Sequence, residues 1–252
     1  IISGVLSASL FISMVTTMHN PISISNIEAD ASSYYEVTYD SITYEVYDEY
    51  AIVTESNSLT GVFTGLSIAS YVDGVPVMGI GSKAFYMNTA ITSITIPDTV
   101  ILIDGFLFGG AFCACTNLKE ITIPESVNEI GMNAFSVCKS LESITIENPE
   151  CEIYDSALTI SNDSENGTPF FNGTIYGYEG STAQAYAEKY GYKFDLIQLL
   201  GDVDSDDTVN SVDASAVLSE YAKTATGSES TFTASQTKAA DVNKDGAVDS
   251  SD

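Results

Sequence analysis

The stretch Leu118–Gly131, LKEITIPESVNEIG, begins with an apolar residue and two polar ones, followed by the alternating triplet Ile-Thr-Ile. Alternation with a period of two is typical of a short strand with one buried face. The same arrangement occurs in ITSITIPDTVILIDG (Ile91–Gly105) and in LESITIENPECEI (Leu141–Ile153). Three copies of one unit indicate a repeat architecture, in which each unit buries its apolar face against its neighbours.

The period of this repeat is 23 residues, the separation of Ile80 from Ile103. Ile103 and Ile130 are instead 27 residues apart, which indicates four additional residues in the middle copy. We place this insertion roughly at Gly109–Phe112. Because insertions in a solenoid bulge out at a loop, we expect it to leave the stack unbroken.

The segments GIGSKAF, SITIPDTV and EITIPESVNEIGMNAFSVCKSLESITI resemble the 23-residue leucine-rich repeats of bacterial surface proteins, over about Leu66–Phe194. GLSIASYVDGVPVMGIG resembles the usual start of such an array. GTIYGYEGSTAQAYAEKYGYKF resembles its usual end, where Ser181 caps an amphipathic helix that extends to Tyr190. The alternating stretch YYEVTYDSITYEVYDEYAIVT predicts one or two strands that cap the open end of the solenoid.

Two of the four cysteines, Cys115 and Cys138, hold the same repeat position, three residues before a repeat leucine. We expect buried thiols stacked on adjacent turns, acting as small apolar side chains, with a disulfide as the alternative. The repeat also assigns three aromatic residues to the core: Phe85, Phe112 and Phe135.

The composition limits the possible partners. Among 252 residues, 35 are acidic and 8 are basic, and all eight basic residues are lysines, which gives a formal net charge of −27. Such a chain repels phosphate backbones and lacks the guanidinium fork used to bind them, which argues against nucleic acid. A hydrophobic content of 44% argues against global disorder.

The first residues, Ile1–Met18, form an uncharged apolar run, and a polar stretch ending in EADA follows. This pattern is typical of a secretory signal peptide cleaved after Ala31, here without the Met and basic residues that normally begin it. A transmembrane anchor is the alternative, since the run is just long enough to span. Cleavage predicts a secreted, extracellular protein with no membrane attachment.

After Leu200 the composition shifts to Asp, Ala and Ser, and an acidic stretch, GDVDSDDTVNSVD, follows at Gly201–Asp213. Its oxygen-bearing side chains fall on positions 1, 3, 5, 9 and 12 of a twelve-residue loop, with a backbone carbonyl at position 7. This is the ligand spacing of an EF-hand-like calcium loop. The predicted ligands are Asp202, Asp204, Asp206, Thr208, Asn210 and Asp213.

A second loop, DVNKDGAVDSSD, has the same spacing. Its predicted ligands are Asp241, Asn243, Asp245, Ala247, Asp249 and Asp252, so that the chain would bind two calcium ions. The first loop has Asp207 where the sharp turn favours Gly, which should weaken its affinity. Both loops end in Asp at position 12, and the sequence stops at Asp252, which we interpret as a truncated second repeat.

These tandem loops resemble the F-hands of the dockerin family, in which a calcium loop is followed by an exiting helix without an entering one. The resemblance implies a helix over Ala214–Lys223 and an extra connection at Thr224–Thr233. It also implies calcium-dependent binding to a cohesin module of a scaffoldin, within extracellular polysaccharide-degrading complexes such as cellulosomes. The implied partner contacts are Ser211, Val212, Val217, Leu218, Tyr221, Ser250 and Ser251. Packing of the dockerin core is the alternative for Val217, Leu218 and Tyr221.

The resemblances together imply an α+β chain: a right-handed leucine-rich-repeat solenoid with short parallel strands, followed by a small α-helical calcium-binding dockerin module. The predicted divisions are a signal peptide at 1–31, capping strands at 32–79, the solenoid with its C-terminal cap at 80–199, and the truncated dockerin at 200–252.

No catalytic residue is predicted. The single histidine, His19, lies in the predicted signal peptide, and five repeat acids occupy slots expected to face solvent. They are Glu120, Glu125, Glu129, Glu142 and Glu147. We therefore predict a non-catalytic, scaffold-docked module whose repeats bind a protein or a glycan. The alternatives are a hydrolase whose catalytic domain is missing or unrecognised, and a surface adhesin stiffened by calcium.

Overall fold

The computed structural model describes residues 34–56, 65–107, 109–165, 167–197, 200–204, 208–243 and 247–249. The chain divides into two compact units between Asp195 and Leu196. The predicted signal peptide lies outside the described residues, and the divisions predicted at residues 31, 79 and 199 stay predictions. Within the described ranges, none of the helices combines the length and apolar character needed to cross a bilayer.

The first unit begins with an antiparallel meander of three strands, β1 (Tyr35–Tyr39), β2 (Ile42–Val46) and β3 (Ala51–Ser56). The sequence alternation predicted one or two. Every residue of β2 is buried, because this strand lies between its two neighbours. The third strand then pairs in parallel with the first long strand of the solenoid, so the meander covers that edge.

The strands that follow are β4 (Leu66–Ser67), β5 (Tyr71–Val72), β6 (Val75–Ile80), β7 (Ile94–Thr95), β8 (Leu102–Ile103), β9 (Glu120–Ile123), β10 (Glu129–Ile130), β11 (Ser143–Ile146), β12 (Glu152–Ile153), β13 (Asp163–Glu165), β14 (Thr168–Phe170), β15 (Thr174–Gly177) and β16 (Lys193–Leu196). Parallel pairing joins β3, β6, β8, β10 and β12 into one sheet, with β5 attached to β6 by a hairpin. A second sheet has the order β16, β15, β11, β9, and β4 pairs with β7. The predicted solenoid of short parallel strands is thereby confirmed.

The register of the first sheet reproduces the sequence period. Ile80 lies opposite Ile103, and Ile130 is paired with both Ile103 and Ile153. The 27-residue interval is therefore one coil carrying four additional residues. These residues do not disturb the pairing on either side of them.

The four additional residues fall between Asp104 and Ala111, so the predicted position at Gly109–Phe112, which includes Ala111 and Phe112, was wrong. The amide of Ala111 donates to the carbonyl of Asp104 at 3.0 Å, just as Ala134 donates to Gly131 at 3.2 Å. The additional residues must fall between these two bonded positions. Phe112 belongs to the regular repeat.

Glycines flank the insertion because adjacent coils approach closely there. A Cβ on Gly105 would lie 2.0 Å from the carbonyl oxygen of Met132, and one on Gly110 would lie 2.3 Å from the Cα of Ala134. Both neighbours are backbone atoms, which cannot move aside without shifting a coil. Only glycine fits at these two contacts.

A ladder of phenylalanines fills the core, as predicted. The rings of Phe85 and Phe112 stack 5.0 Å apart, and those of Phe112 and Phe135 stack 5.2 Å apart, all fully buried. Cys115 and Cys138 are also buried, and their thiols donate to the carbonyls of Phe85 and Phe112 at 3.0 and 3.2 Å. All four cysteines are free thiols, which confirms the apolar role over the disulfide.

The solenoid ends at α1 (Thr182–Tyr190), the helix predicted from the sequence. The Ser181 side chain caps it by accepting from the amide of Gln184 at 3.2 Å, and Gly191 ends it in a left-handed conformation. The hydroxyl of Tyr186 donates to the carbonyl of Ser156 at 2.7 Å. This bond joins the helix to the last coil and closes the second open end of the core.

The second unit contains α2 (Ser211–Ala225) and α3 (Ala234–Ala240). Its small core is built on Val203, Ala239 and Ala240. Sequence analysis predicted α2, although with shorter bounds, and missed α3. The signal for α3 was present: Thr233 and Gln236 form a capping box, the S/T-x-x-E/Q pattern that begins many helices.

Candidate calcium-binding site

Three predicted ligands of the first loop come together in the second unit. Carboxylate oxygens of Asp202, Asp204 and Asp213 all lie within 4.8 Å of one another. Asp202 and Asp213 are buried, and Asp204 is exposed. The sequence brings them together because α2 begins at Ser211, within the last positions of the loop, and carries Asp213 in its first turn.

The Asp213 carboxylate closes the loop. One oxygen accepts from the amides of Val203 and Asp204 at 2.8 and 3.2 Å, and the other accepts from the amide of Asn210 at 2.8 Å. The bond from Asn210, followed by those from Val203 and Asp204, holds the pKa of Asp213 below its usual range. Asp213 is therefore ionised at neutral pH despite its burial.

Asn210 and Thr208 shape the end of the loop. Asn210 caps α2, its side-chain oxygen accepting from the amide of Val212 at 2.7 Å. Its side-chain amide donates to the carbonyl of Thr208 at 3.2 Å. Asp206, the predicted ligand at position 5, lies outside the described residues.

The donors in this loop fit a calcium ion. Calcium takes six to eight oxygen ligands, carboxylates among them, and the structure brings three carboxylates together here. Three carboxylates within 4.8 Å of one another repel each other strongly unless a cation offsets their charge. Among the residues that the structure describes, the group consists of carboxylates alone, a hard donor set that suits calcium better than zinc or copper.

The second loop begins where α3 ends, with Asp241 as the residue that caps the helix. Asp241 and Asp249 are half-buried, whereas Asn243 and Ala247 are exposed. The predicted ligands Asp245 and Asp252 lie outside the described residues. Among the residues that the structure describes, a group of three carboxylates forms only in the first loop.

A backbone bond connects the two loops. The amide of Gly201, one residue before the first loop, donates to the carbonyl of Ala239 near the end of α3, at 2.8 Å. Val203 of the first loop and Val248 of the second both pack on the core formed with Ala239. The two loops therefore belong to one packed module.

The predicted partner contacts separate into two groups. Val212 and Leu218 are exposed, at 57% and 66%, and Ser211 is also exposed. Val217 packs instead against the core of the unit, and Tyr221 is half-buried. Core packing is therefore the role of Val217, whereas the side chain of Leu218 faces solvent. Ser250 and Ser251 lie outside the described residues.

Sequence analysis missed Glu220. This side chain is buried on α2 and accepts from the hydroxyl of Thr231 at 2.8 Å and from the amide of Phe232 at 3.3 Å. Hydrogen bonds from Ser230 and then Thr231 lower its pKa to about 2. Glu220 thus fixes the connection between α2 and α3. The partners by which it fixes this connection lie eleven and twelve residues away, so no local sequence pattern indicates this role.

Two of the repeat acids expected to face solvent are half-buried. Burial, followed by the charges of Glu152 and Asp104, raises the pKa of Glu129. Burial also raises the pKa of Glu147, with Asp98 and Glu125 adding to the effect. The stacking of coils explains this, since it aligns acids of successive repeats. The other three repeat acids are exposed, as predicted: Glu120, Glu125 and Glu142.

Comparison with known families identifies both parts of the chain. Residues 78–170 match the BspA type leucine rich repeat region in six copies, and residues 200–252 match the dockerin type I domain. Both are non-catalytic kinds of domain, and dockerin type I domains bind calcium. The suspected combination of bacterial leucine-rich repeats with a C-terminal dockerin is confirmed.

Among solved structures, a leucine-rich repeat protein from Bacteroides capillosus is 27% identical, with a TM-score of 0.45, over 57% of this chain and 98% of that one. A leucine rich cell surface protein from Faecalibacterium prausnitzii is 26% identical, with a TM-score of 0.38, over 67% of this chain and 44% of that one. A leucine-rich repeat protein from Bacteroides ovatus is 26% identical, with a TM-score of 0.38, over 58% of this chain and 38% of that one. None of the curated proteins compared matches the chain significantly.

Proposed function

We propose that this protein is a secreted, non-catalytic component of an extracellular polysaccharide-degrading complex. Its dockerin unit binds a cohesin module of a scaffoldin in a calcium-dependent manner. Its leucine-rich-repeat unit presents a surface to a protein or glycan ligand. The observation that carries the proposal is the group formed by Asp202, Asp204 and Asp213 at the start of α2, in a segment that matches the dockerin type I family.

Calcium has a structural role in this proposal. When bound, it supplies the positive charge that allows the acidic residues of each loop to stay together, so that metal binding and folding of the unit are coupled. Asp213 contributes twice, because its carboxylate joins the acidic group and its hydrogen bonds hold Val203 and Asn210. The loop thereby fixes the first turn of α2, where Ser211 and Val212 are exposed.

The exposed side of α2 supports a docking role. Val212 and Leu218 are large apolar residues in solvent, and both lie among the contacts implied by the dockerin resemblance. An apolar side chain that is largely exposed in the free protein gains from burial against a partner. The other predicted ligands and contacts, including Asp206, Asp245, Asp252, Ser250 and Ser251, remain part of the proposal.

Capture of the full chain on an immobilised panel of cohesin modules tests this function. We expect capture by at least one cohesin in millimolar calcium, release in EDTA and recapture when calcium is restored. Capture that persists in EDTA, or no capture by any cohesin in calcium, contradicts the docking role. A calcium-dependent rise in thermal stability without capture would instead favour an adhesin stiffened by calcium.

Release of reducing sugars from plant polysaccharides tests the non-catalytic part of the proposal. We expect no release above a buffer control after prolonged incubation with the full chain. Release that survives repeated purification contradicts this part of the proposal and favours the hydrolase alternative.

A further inference from the structure

Two exposed tyrosines in the N-terminal meander share one carboxylate. The hydroxyls of Tyr35 and Tyr39 donate to the two oxygens of Asp73 at 2.9 and 3.0 Å. The tyrosines are 53% and 45% exposed, although each has its polar end engaged. Their rings therefore present apolar faces to solvent in a fixed orientation.

The backbone explains how these three residues meet. Tyr35 and Tyr39 lie on the same face of β1, four residues apart, which is about 13 Å along a strand. Their hydroxyls nevertheless converge on a single side chain, so the two rings lean toward each other. Val37 lies between them on the same face and packs against the core, which anchors this part of the strand.

The position of Asp73 is also fixed. Asp73 and Gly74 form the turn of the β5–β6 hairpin, both with positive φ, at 50° and 88°. Val72, the preceding residue, is fully buried and holds the hairpin on the core. The Asp73 carboxylate therefore lies next to the tyrosines on a short hairpin turn whose backbone conformation is well defined.

The surface retains the groups that a sugar needs. A carboxylate has about four lone-pair sites, and the tyrosines use two of those on Asp73, which leaves acceptors for ligand hydroxyls. Tyr71, two residues before Asp73 on the same hairpin, is 62% exposed and adds a third aromatic ring. Aromatic faces attract the electron-poor C–H groups of a pyranose ring, and fixed rings lose little entropy on binding.

The negative charge of the chain and of Asp73 disfavours anionic sugars as ligands of this surface. The chain carries a formal net charge of −27, and the group at the centre of this surface is itself a carboxylate. An anionic ligand such as a polyuronate would be repelled. A neutral glycan would not be.

We propose that Tyr35, Tyr39, Tyr71 and Asp73 form a binding surface for a neutral glycan, in which the rings stack on sugar faces and Asp73 accepts hydrogen bonds from sugar hydroxyls. This inference deepens the ligand-presenting role proposed for the repeat unit and rests on it. It does not depend on calcium or on cohesin. Its failure is therefore distinguishable from failure of the docking role.

Isothermal titration calorimetry of the full chain in EDTA tests the proposal, with cellohexaose, xylohexaose, mannohexaose and hexagalacturonate as probes. We expect at least one neutral hexasaccharide to bind and hexagalacturonate not to bind. Tyr35→Ala and Tyr39→Ala should each weaken binding by about tenfold or more, because each removes one stacking face. Asp73→Asn should also weaken it, since the variant loses the charge that orients both hydroxyls.

Tyr154→Ala is the matched control. Tyr154 is 44% exposed and follows β12, the strand at the opposite end of the same sheet, so its loss should leave glycan affinity unchanged. Thermal melts show which variants are folded, and Tyr35→Leu, which keeps apolar bulk but removes the aromatic face, replaces Tyr35→Ala if the latter unfolds. Absence of binding by every neutral hexasaccharide up to about 10 mM overturns the proposal. So does equal binding by wild type and the two alanine variants, or equally tight binding of hexagalacturonate.

Discussion

The carboxylate of Asp213 accepts the amide of Val203 at 2.8 Å, across ten residues of loop. Val203 in turn packs against Ala239 and Ala240 at the end of α3. The hydrogen bond joins the first turn of α2 to the beginning of the first acidic loop. The packing of Val203 joins that loop to the core next to which the second loop begins. The acidic group is therefore built into the fold of its unit, because Asp213 is at once a candidate ligand and a structural acceptor.

Glu220 predicts an acid-dependent loss of order in the second unit. Its pKa is about 2 in the folded chain, below its ordinary value, so the stability that it contributes is complete above about pH 4.5 and is lost as the pH falls toward 2. We expect amide hydrogen exchange along α2 to quicken over this range in the wild type. The same pH change should affect Glu220→Gln less, because that variant has already lost the charge. An identical pH response in both proteins contradicts the role of Glu220.

Val217 and Leu218 are adjacent, yet they should respond differently to truncation. Val217→Ala removes apolar contacts from the small core and should lower the free energy of unfolding of the calcium-loaded unit by about 1 kcal/mol. Leu218→Ala should change that free energy by less than about 0.5 kcal/mol, because its side chain is 66% exposed. It should instead weaken cohesin binding by about tenfold or more. Urea unfolding measures the stability of each variant, and calorimetry measures its affinity for cohesin. If Val217→Ala weakened binding and Leu218→Ala lowered stability, Leu218 would be the core residue and Val217 the contact residue.

The aromatic ladder should dominate the stability of the first unit. Phe112→Ala leaves a cavity between two stacked rings and should lower the free energy of unfolding by about 3–5 kcal/mol. Phe106→Ala is the matched control, since this insertion residue is 55% exposed and its truncation should cost less than about 0.5 kcal/mol. Denaturant unfolding followed by circular dichroism compares them. Equal losses would show that the insertion is part of the packed coil.

The cysteines should differ in reactivity toward iodoacetamide at pH 8. Burial raises the pKa of Cys138 and of Cys151 to about 12, and both thiols are inaccessible. Burial raises the pKa of Cys113 as well, but this residue is only half-buried. Mass spectrometry of the native protein should show modification first at Cys113, and at all four sites after unfolding in guanidinium. Modification of Cys138 as fast as Cys113 would contradict the stacked, closed core.

The sequence predicted the features that repeat. The Ile-Thr-Ile triplets predicted strands β9 and β11, because alternation and a fixed period leave one way to stack the coils. The insertion was misplaced because Phe108 and Phe112 both stand at plausible spacings. The bond between Ala111 and Asp104 shows that the additional residues precede Ala111.

Features that depend on distant contacts escaped prediction. Neighbouring helical residues differ by only about 100° in direction, so periodicity did not separate Val217 from Leu218 without the position of α3. Helix α3 is seven residues long and carries little apolar signal, which left its capping box as the only clue. The sharing of Asp73 by Tyr35 and Tyr39 spans more than thirty residues of sequence, and no local pattern indicates it.

Calcium titration of the full chain by isothermal calorimetry, in wild type and in Asp213→Asn, shows whether the aspartates of the first loop bind calcium. We expect saturable binding of two ions to the wild type. At the first loop of the variant, which has one negative charge fewer, we expect affinity weaker by about tenfold or more. Absence of calcium binding at millimolar concentration, or equal affinity in both proteins, would contradict the claim that the aspartates of the first loop form a calcium site.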